Sequence, residues 1–167
     1  MSESADLYER DFVAWTEEQA ARIRAAAATH GNLAIDWENV AEEIESLGRS
    51  DARELQSRLT TIIEHLLKLQ HSPAEEPRAG WMATVVRART EAENFIEESP
   101  SLRARLGVLL PRANQAAART VGVEFKARRE LGPAEARSLG TPGLTPDQVL
   151  GDWFPDRRPQ AATETRP

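Results

Sequence analysis

Residues 37–70 read WENVAEEIESLGRSDARELQSRLTTIIEHLLKLQ and carry the clearest helical pattern in the chain. Before Gly48 the apolar residues recur at steps of three, four and three, and after it at steps of four, three, four and three. These positions are Trp37, Val40, Ile44 and Leu47, then Leu55, Leu59, Ile62, Leu66 and Leu69. Because an α-helix has about 3.6 residues per turn, the spacing predicts one amphipathic helix on each side of Gly48.

The residues around these two stretches are typical of helix ends. Asp36 can cap the first helix by accepting backbone N–H groups of its opening turn. Gly48 suits the left-handed position that closes a helix, and Ser50 can cap the next one. A link of two or three residues forces neighbouring helices to run antiparallel. The pattern therefore predicts a central antiparallel hairpin from Trp37 to Gln70.

The rest of the chain predicts further helices separated by proline and glycine. We expect helices over about Leu7–Ala28, Gly80–Glu98, Ser99–Leu131 and Thr145–Leu150. Pro111 predicts a kink or break near Leu109, and the apolar pair Trp153 and Phe154 predicts that the closing segment docks on the bundle. We therefore predict an all-α fold, a helical bundle of five to six helices around the central hairpin. One domain is expected over residues 1–155, followed by a disordered polar tail over residues 156–167.

Composition narrows the classes of function. The 167 residues include no cysteine, which excludes disulfides, cysteine-bound zinc and thiol catalysis, and favours a cytoplasmic location. No apolar run is long enough to span a membrane. The net charge of −6 disfavours a broad nucleic-acid surface. Such a surface would need the arginines of the second half, which are Arg78, Arg87, Arg89, Arg103, Arg105 and Arg112, and several of them lie close to glutamates.

Three ionisable residues border the apolar seams of the predicted hairpin. Glu43 lies between Val40 and Leu47, and Arg58 and His65 lie on one side of the second helix. Antiparallel pairing predicts that Glu43 is buried and pairs with Arg58 or His65, because a buried carboxylate needs a partner. This cluster is the candidate catalytic site, since a histidine held by a carboxylate can act as an acid or base. The alternative is that the same residues only stabilise the fold.

Metal binding is a weaker alternative. Glu42, Glu45 and His65 are the weak candidate ligands, with Glu64 and His71 nearby. A di-iron carboxylate bundle needs Glu-x-x-His pairs, and this sequence contains none. We therefore predict no bound metal and no cofactor.

Several motifs resemble a known family. They include YERDF (residues 8–12) followed by Trp15, DWEN (36–39), AEEIESLG (41–48), HLLK (65–68), Trp81 with Arg87, SPSL (99–102) and the closing segment 144–155. In this order they are similar to DUF29, a bacterial family of unknown function. The resemblance spans roughly residues 5–155 and implies a small all-helical bundle, without any established activity or catalytic residue. This chain departs from the family near residues 114–119, where a tyrosine is more usual.

These observations favour a non-enzymatic domain that works through protein–protein contacts, with a protein partner or self-association. The alternative is an enzyme or metal-binding protein whose site is the cluster of Glu43, Arg58 and His65. Whether the protein is an enzyme is left open. Trp15, Trp37 and Trp81 interrupt or begin apolar seams, and two of them exposed together would mark a partner surface.

Overall fold

A computed structural model of the chain describes residues 3–29, 33–130, 139 and 143–156, and within them all regular elements are helices. In chain order these are α1 (Glu3–Arg10), α2 (Phe12–Thr29), α3 (Trp37–His71), α4 (Arg78–Glu98), α5 (Ser101–Arg128) and α6 (Pro146–Leu150). The prediction of an all-α bundle of five to six helices is confirmed. The predicted tail lies outside the described residues except for Asp156. None of the described helices combines the length and apolarity that a membrane crossing requires.

The central hairpin prediction is wrong, because α3 is one continuous helix of 35 residues. It passes through Gly48 without a turn, and no described glycine has a positive φ. Asp36 caps α3 as predicted, since its Oδ1 accepts the backbone N–H of Asn39 at 3.2 Å. Ser50 caps nothing and lies inside the helix. At a rise of 1.5 Å per residue, α3 is about 52 Å long.

The antiparallel hairpin instead consists of α2 and α3, joined by residues 30–36. Val13, Thr16 and Ala20 are buried along α2, and Ala41 and Gly48 are buried along the opposing part of α3. The small residues among them, Ala20, Ala41 and Gly48, let the two helices approach closely, because few side-chain atoms separate their backbones. We call α2 together with residues 37–48 of α3 the arm.

The hydrophobic core is centred on the second half of α3, where α4 and α5 pack against it. The five seam residues predicted there are all buried: Leu55, Leu59, Ile62, Leu66 and Leu69. In α4, Val85, Ala88 and Ala92 are buried at helical spacing, and Trp81 and Phe95 pack against the core while partly exposed. The α5 helix continues through Pro111, so the predicted break is absent. Trp153 and Phe154 pack against the core, as predicted.

The first turns of α2 and α5 are capped by side chains that lie just before each other's helix. Asp11 separates α1 from α2, so the single helix expected over Leu7–Ala28 is divided. Its Oδ1 accepts the N–H of Ala14 at 2.9 Å, and its Oδ2 accepts the N–H of Ser101 at 2.6 Å. Ser99 Oγ, just before α5, accepts the N–H of Val13 at 3.2 Å. Each segment therefore satisfies free donors at the start of the other helix.

Candidate functional site

The three residues of the predicted catalytic cluster lie far apart. Glu43, Arg58 and His65 all belong to α3, and the helical rise places Arg58 about 22 Å and His65 about 33 Å from Glu43. Glu43 is exposed. The prediction that it is buried and paired with either residue is wrong, because the turn at Gly48 that would have folded it back does not exist. A catalytic role for any one of these residues alone stays a prediction.

Arg58 and His65 each make structural contacts. Arg58 forms ion pairs with Glu54 and Glu91, its Nε lying 3.1 Å from Glu91 Oε2, and so links α3 to α4. This contact is an ion pair rather than a hydrogen bond. His65 Nδ1 lies 2.9 Å from the carbonyl oxygen of Thr61, one turn earlier in α3. Because a carbonyl oxygen only accepts, Nδ1 carries the proton in this hydrogen bond.

The weak metal candidates on the arm are engaged in ion pairs. Arg24 of α2 lies 3.0 Å from Glu45, and 3.0 Å from Glu38 through its Nε. Glu42 pairs with Arg49 and lies 3.7 Å from Arg24. Hydrogen bonds to Glu38 and then to Glu45 raise the pKa of Arg24. The network joins one side of α2 to α3.

The structure does not bring these glutamates to His65, which lies about 30 Å along α3 from Glu45. Within the described part of the chain, no group of three or more histidine, aspartate or glutamate side chains is arranged to hold a metal ion.

The other side of the arm is apolar and exposed. We call Trp37, Val40, Ile44 and Leu47 the apolar stripe. Val40 is 43% exposed and Leu47 50% exposed, while Trp37 and Ile44 are half-buried. The prediction that these residues form a buried seam is wrong, because α2 packs on the neighbouring face of α3.

The apolar stripe continues the face of α3 that α4 covers further along. Helical spacing places it on the same side as the buried residues Leu55, Ile62 and Leu69. α4 ends at Glu98, opposite Asp51, whose pKa is raised by burial and then by the charge of Glu98. The stripe therefore lies beyond the end of α4, along the line that α4 follows.

Three aromatic residues form a cluster where α1 meets the start of α2. Tyr8 lies edge-on to Trp15, with ring centroids 4.8 Å apart, and Phe12 stacks with Trp15 at 5.8 Å. Tyr8 is 47% exposed, and Trp15 and Trp37 are both half-buried. Trp15, Trp37 and Trp81 are all half-buried, so the condition that two tryptophans be exposed together is not met, and a partner surface built on them stays a prediction.

The border of the apolar stripe is acidic. By helical position, Asp36 and Glu43 both flank it, and both are exposed. No ion pair to Glu43 occurs among the described residues, whereas Asp36 bonds the side chain of Asn39 at 2.6 Å. The surface can therefore bury apolar side chains and attract positive charge at its edge.

A buried arginine that the sequence did not reveal holds the closing segment. Arg89 of α4 is 6% exposed and donates to the carbonyl oxygens of Val149 at 2.9 Å, Gln148 at 2.9 Å and Trp153 at 2.6 Å. Its guanidinium also lies 4.9 Å from the ring centroid of Phe154. Burial lowers the pKa of Arg89. Its role is structural, because backbone carbonyls satisfy it.

Comparisons with known proteins agree with this architecture. A crystal structure of an alpha-helical protein of unknown function from Rhodospirillum rubrum is similar, with a TM-score of 0.71 and 24% sequence identity. The match covers 89% of this chain and 91% of that one, and at this identity it bears on the fold alone. No curated protein matches the chain. The family model described as domain of unknown function DUF29 matches residues 7–154. Because this match covers most of the sequence, from before the YERDF motif to Phe154 in the closing segment, the chain belongs to the DUF29 family.

Proposed function

We propose that the protein is a non-enzymatic binding module whose apolar stripe holds an amphipathic helix of another protein. The observation that carries this proposal is an exposed helical stripe that prolongs the face covered by α4. A partner helix lying there would continue the packing that α4 already makes with α3. An amphipathic helix laid into an apolar groove is a common mode of peptide recognition.

The size of the apolar stripe fits a contact of moderate strength. Complete burial of a side chain such as Val40 or Leu47 contributes about 1.5–3 kcal/mol, and a partner can add about half of this because each is already about half covered. Association costs on the order of 4–15 kcal/mol in lost freedom of motion, which offsets much of this gain. A partner is therefore expected to bind reversibly, with a dissociation constant in the micromolar range or weaker.

Charge favours a different protein over a second copy of this chain. The stripe is flanked by Asp36 and Glu43, and the whole chain carries a net charge of −6. A second copy would bring the same acidic border against the first, and like charges at an interface oppose association. The partner helix should instead carry lysine or arginine beside its apolar residues.

The enzyme and metal-binding alternative loses its geometric basis, because Glu43 lies far along α3 from Arg58 and His65. The cytoplasmic location expected from the cysteine-free composition stays a prediction.

The proposal is tested with designed peptides and the full chain. One peptide has leucines at helical spacing with flanking lysines, and a second has glutamates in place of the lysines. Binding is measured by fluorescence titration and by hydrogen exchange along residues 37–48. The variants Val40→Glu and Leu47→Glu place charge in the apolar stripe. Val123→Glu, at a 67% exposed position of α5, is the matched control.

We expect the lysine peptide to bind the parent and the Val123→Glu variant equally, and to bind both stripe variants at least tenfold more weakly. The glutamate peptide should bind much more weakly than the lysine peptide. Equal affinity of the lysine peptide for the parent and for the two stripe variants would overturn the proposal. So would a concentration-dependent dimer of the parent that Val40→Glu dissolves, because the stripe would then serve self-association.

A further inference from the structure

A groove of about 330 Å³ lies between α3 and α5, on the opposite side of α3 from the apolar stripe. Arg49 and Arg53 project from α3 at a spacing of four residues, and Arg105 and Arg112 project from α5 at a spacing of seven. Both spacings place the two side chains on one side of their helix. The groove therefore has two arginines on each wall, in a protein whose net charge is negative.

The four arginines differ in their ion pairs. Arg49 pairs with Glu42 and lies 3.7 Å from Glu45, and Arg105 pairs with Glu17. Arg53 and Arg112 are exposed and have no ion pair to any described residue. One uncompensated guanidinium on each wall leaves the groove with a charge of about +2, since arginine stays protonated at all ordinary pH values.

The floor of the groove is apolar. Ala52 of α3 faces Val108 and Leu109 of α5, and the small alanine side chain leaves the space between the helices unfilled. Leu109 is buried at 7% exposed, whereas Val108 is 56% exposed. Pockets for small molecules commonly have such an apolar lining with a few charged groups, and volumes from about 300 Å³ upward.

We propose that this groove binds a small phosphate monoester attached to a flat apolar body, the chemistry of a mononucleotide. A phosphate monoester carries a charge of about −1.5 to −2 at pH 7, which matches the two unpaired guanidinium groups. The guanidinium fork bonds phosphate oxygens in pairs and also stacks on flat rings. The apolar floor supplies a surface for the rest of the molecule. This site is independent of the apolar stripe.

The test is calorimetric titration of the full chain with adenosine monophosphate, adenosine, inorganic phosphate, succinate and a short single-stranded oligonucleotide. Arg53→Gln and Arg112→Gln remove one unpaired charge each, and neither change should alter the melting temperature. Ala52→Leu fills the floor and keeps every charge. Arg119→Gln, at an exposed position of α5 outside the groove, is the matched control.

We expect the monophosphate to bind the parent and Arg119→Gln equally, and each of the other three variants at least tenfold more weakly. Inorganic phosphate should bind more weakly than the monophosphate, and adenosine should not bind measurably. Unchanged binding in Arg53→Gln and Arg112→Gln would overturn the proposal. So would adenosine or succinate binding as tightly as the monophosphate, or a single-stranded oligonucleotide binding tenfold more tightly than it.

Discussion

At Gly48 the arm brings α2 and α3 so close together that a side chain would not fit. A Cβ atom there would overlap Thr16 Oγ1, and it would lie 3.5 Å from Val13 Cα. Thr16 is buried, and its hydroxyl donates to the Val13 carbonyl oxygen at 2.7 Å, so it cannot move away freely. Glycine lowers helix stability by about 1 kcal/mol relative to alanine, and the close contact explains its place inside a helix.

We predict that Gly48→Ala destabilises the protein by about 1–3 kcal/mol, the usual cost of overpacking, in spite of the higher helix propensity of alanine. Urea denaturation measures this change. Gly107→Ala is the control, because a Cβ there meets open space, and it should be neutral or stabilise by up to about 1 kcal/mol. Adding Thr16→Ala to Gly48→Ala should recover part of the loss. Equal stability of Gly48→Ala and the parent would show that the two helices are not in close contact.

Arg89 is the residue on which the closing segment depends. We predict that Arg89→Ala releases residues 143–156 and lowers the free energy of unfolding by on the order of 3 kcal/mol. Hydrogen bonds to charged groups contribute about 1.5–3 kcal/mol each, but part of this loss is offset because the released carbonyls bond to water. Arg89→Lys should restore little of the lost stability, since an ammonium group cannot reproduce the guanidinium geometry. Hydrogen exchange of residues 143–156 measures the release. Arg87→Ala, at an exposed position two residues earlier and on the other side of α4, should leave the exchange unchanged. Equal protection in both variants would refute the role of Arg89.

Asp51 gives a pH-dependent prediction. Its raised pKa means that the folded protein binds this proton more tightly than the unfolded chain, so its charge costs stability at neutral pH. The cost disappears as the pH falls through the raised pKa. We expect Asp51→Asn to raise the melting temperature at pH 7, and this advantage to vanish below about pH 4, where an ordinary aspartate is also neutral. Glu97→Gln, at an exposed position of α4, should show no such pattern. A melting temperature lowered at pH 7 by Asp51→Asn would contradict this account.

Among the helices, the shared capping of α2 and α5 is a contact on which both depend. We predict that Asp11→Ala destabilises by about 2 kcal/mol, the upper end of the range for a lost cap, because two helix starts lose their acceptor. Ser99→Ala removes one acceptor and should cost about half as much. Chemical denaturation measures both. A cost for Asp11→Ala no larger than that for Ser99→Ala would show that Asp11 serves one helix only.

The elements that the sequence predicted well are those whose signals are local. Asp36 is a capping residue by its own chemistry, and α4 has its apolar residues at helical spacing within a single stretch. Gly48 could not be interpreted in this way. Glycine followed by serine is typical of a helix end, and the contact that keeps α3 continuous comes from Thr16, in another helix.

The candidate site could be predicted less well than the fold. The spacing of Trp37, Val40, Ile44 and Leu47 identifies one side of a helix, but spacing is the same whether a neighbouring helix covers that side or not. The length of α4 decides whether that side is covered. Because α4 ends opposite Asp51, it does not reach residues 37–47. From the sequence, Arg89 could not be distinguished from a surface arginine. Its partners are backbone carbonyls, and because every residue has one, they leave no signal in the sequence.

For the whole molecule, the continuity of α3 connects the fold to the proposed function. A turn at Gly48 would fold residues 37–47 back onto the core and bury the apolar stripe. Because α3 is continuous through this point, the arm extends past α4, and the stripe stays open to a partner.

Pulsed electron paramagnetic resonance between spin labels at positions 39 and 57 tests this continuity most directly. Asn39 and Ser57 are exposed and equally distant from Gly48 in sequence, and the chain has no other cysteine to label. A continuous helix predicts a backbone separation of about 27 Å, from 1.5 Å per residue. A hairpin at Gly48 would bring the two positions to about 10 Å, the distance between packed helix axes, and that result would contradict both the fold and the exposed apolar stripe.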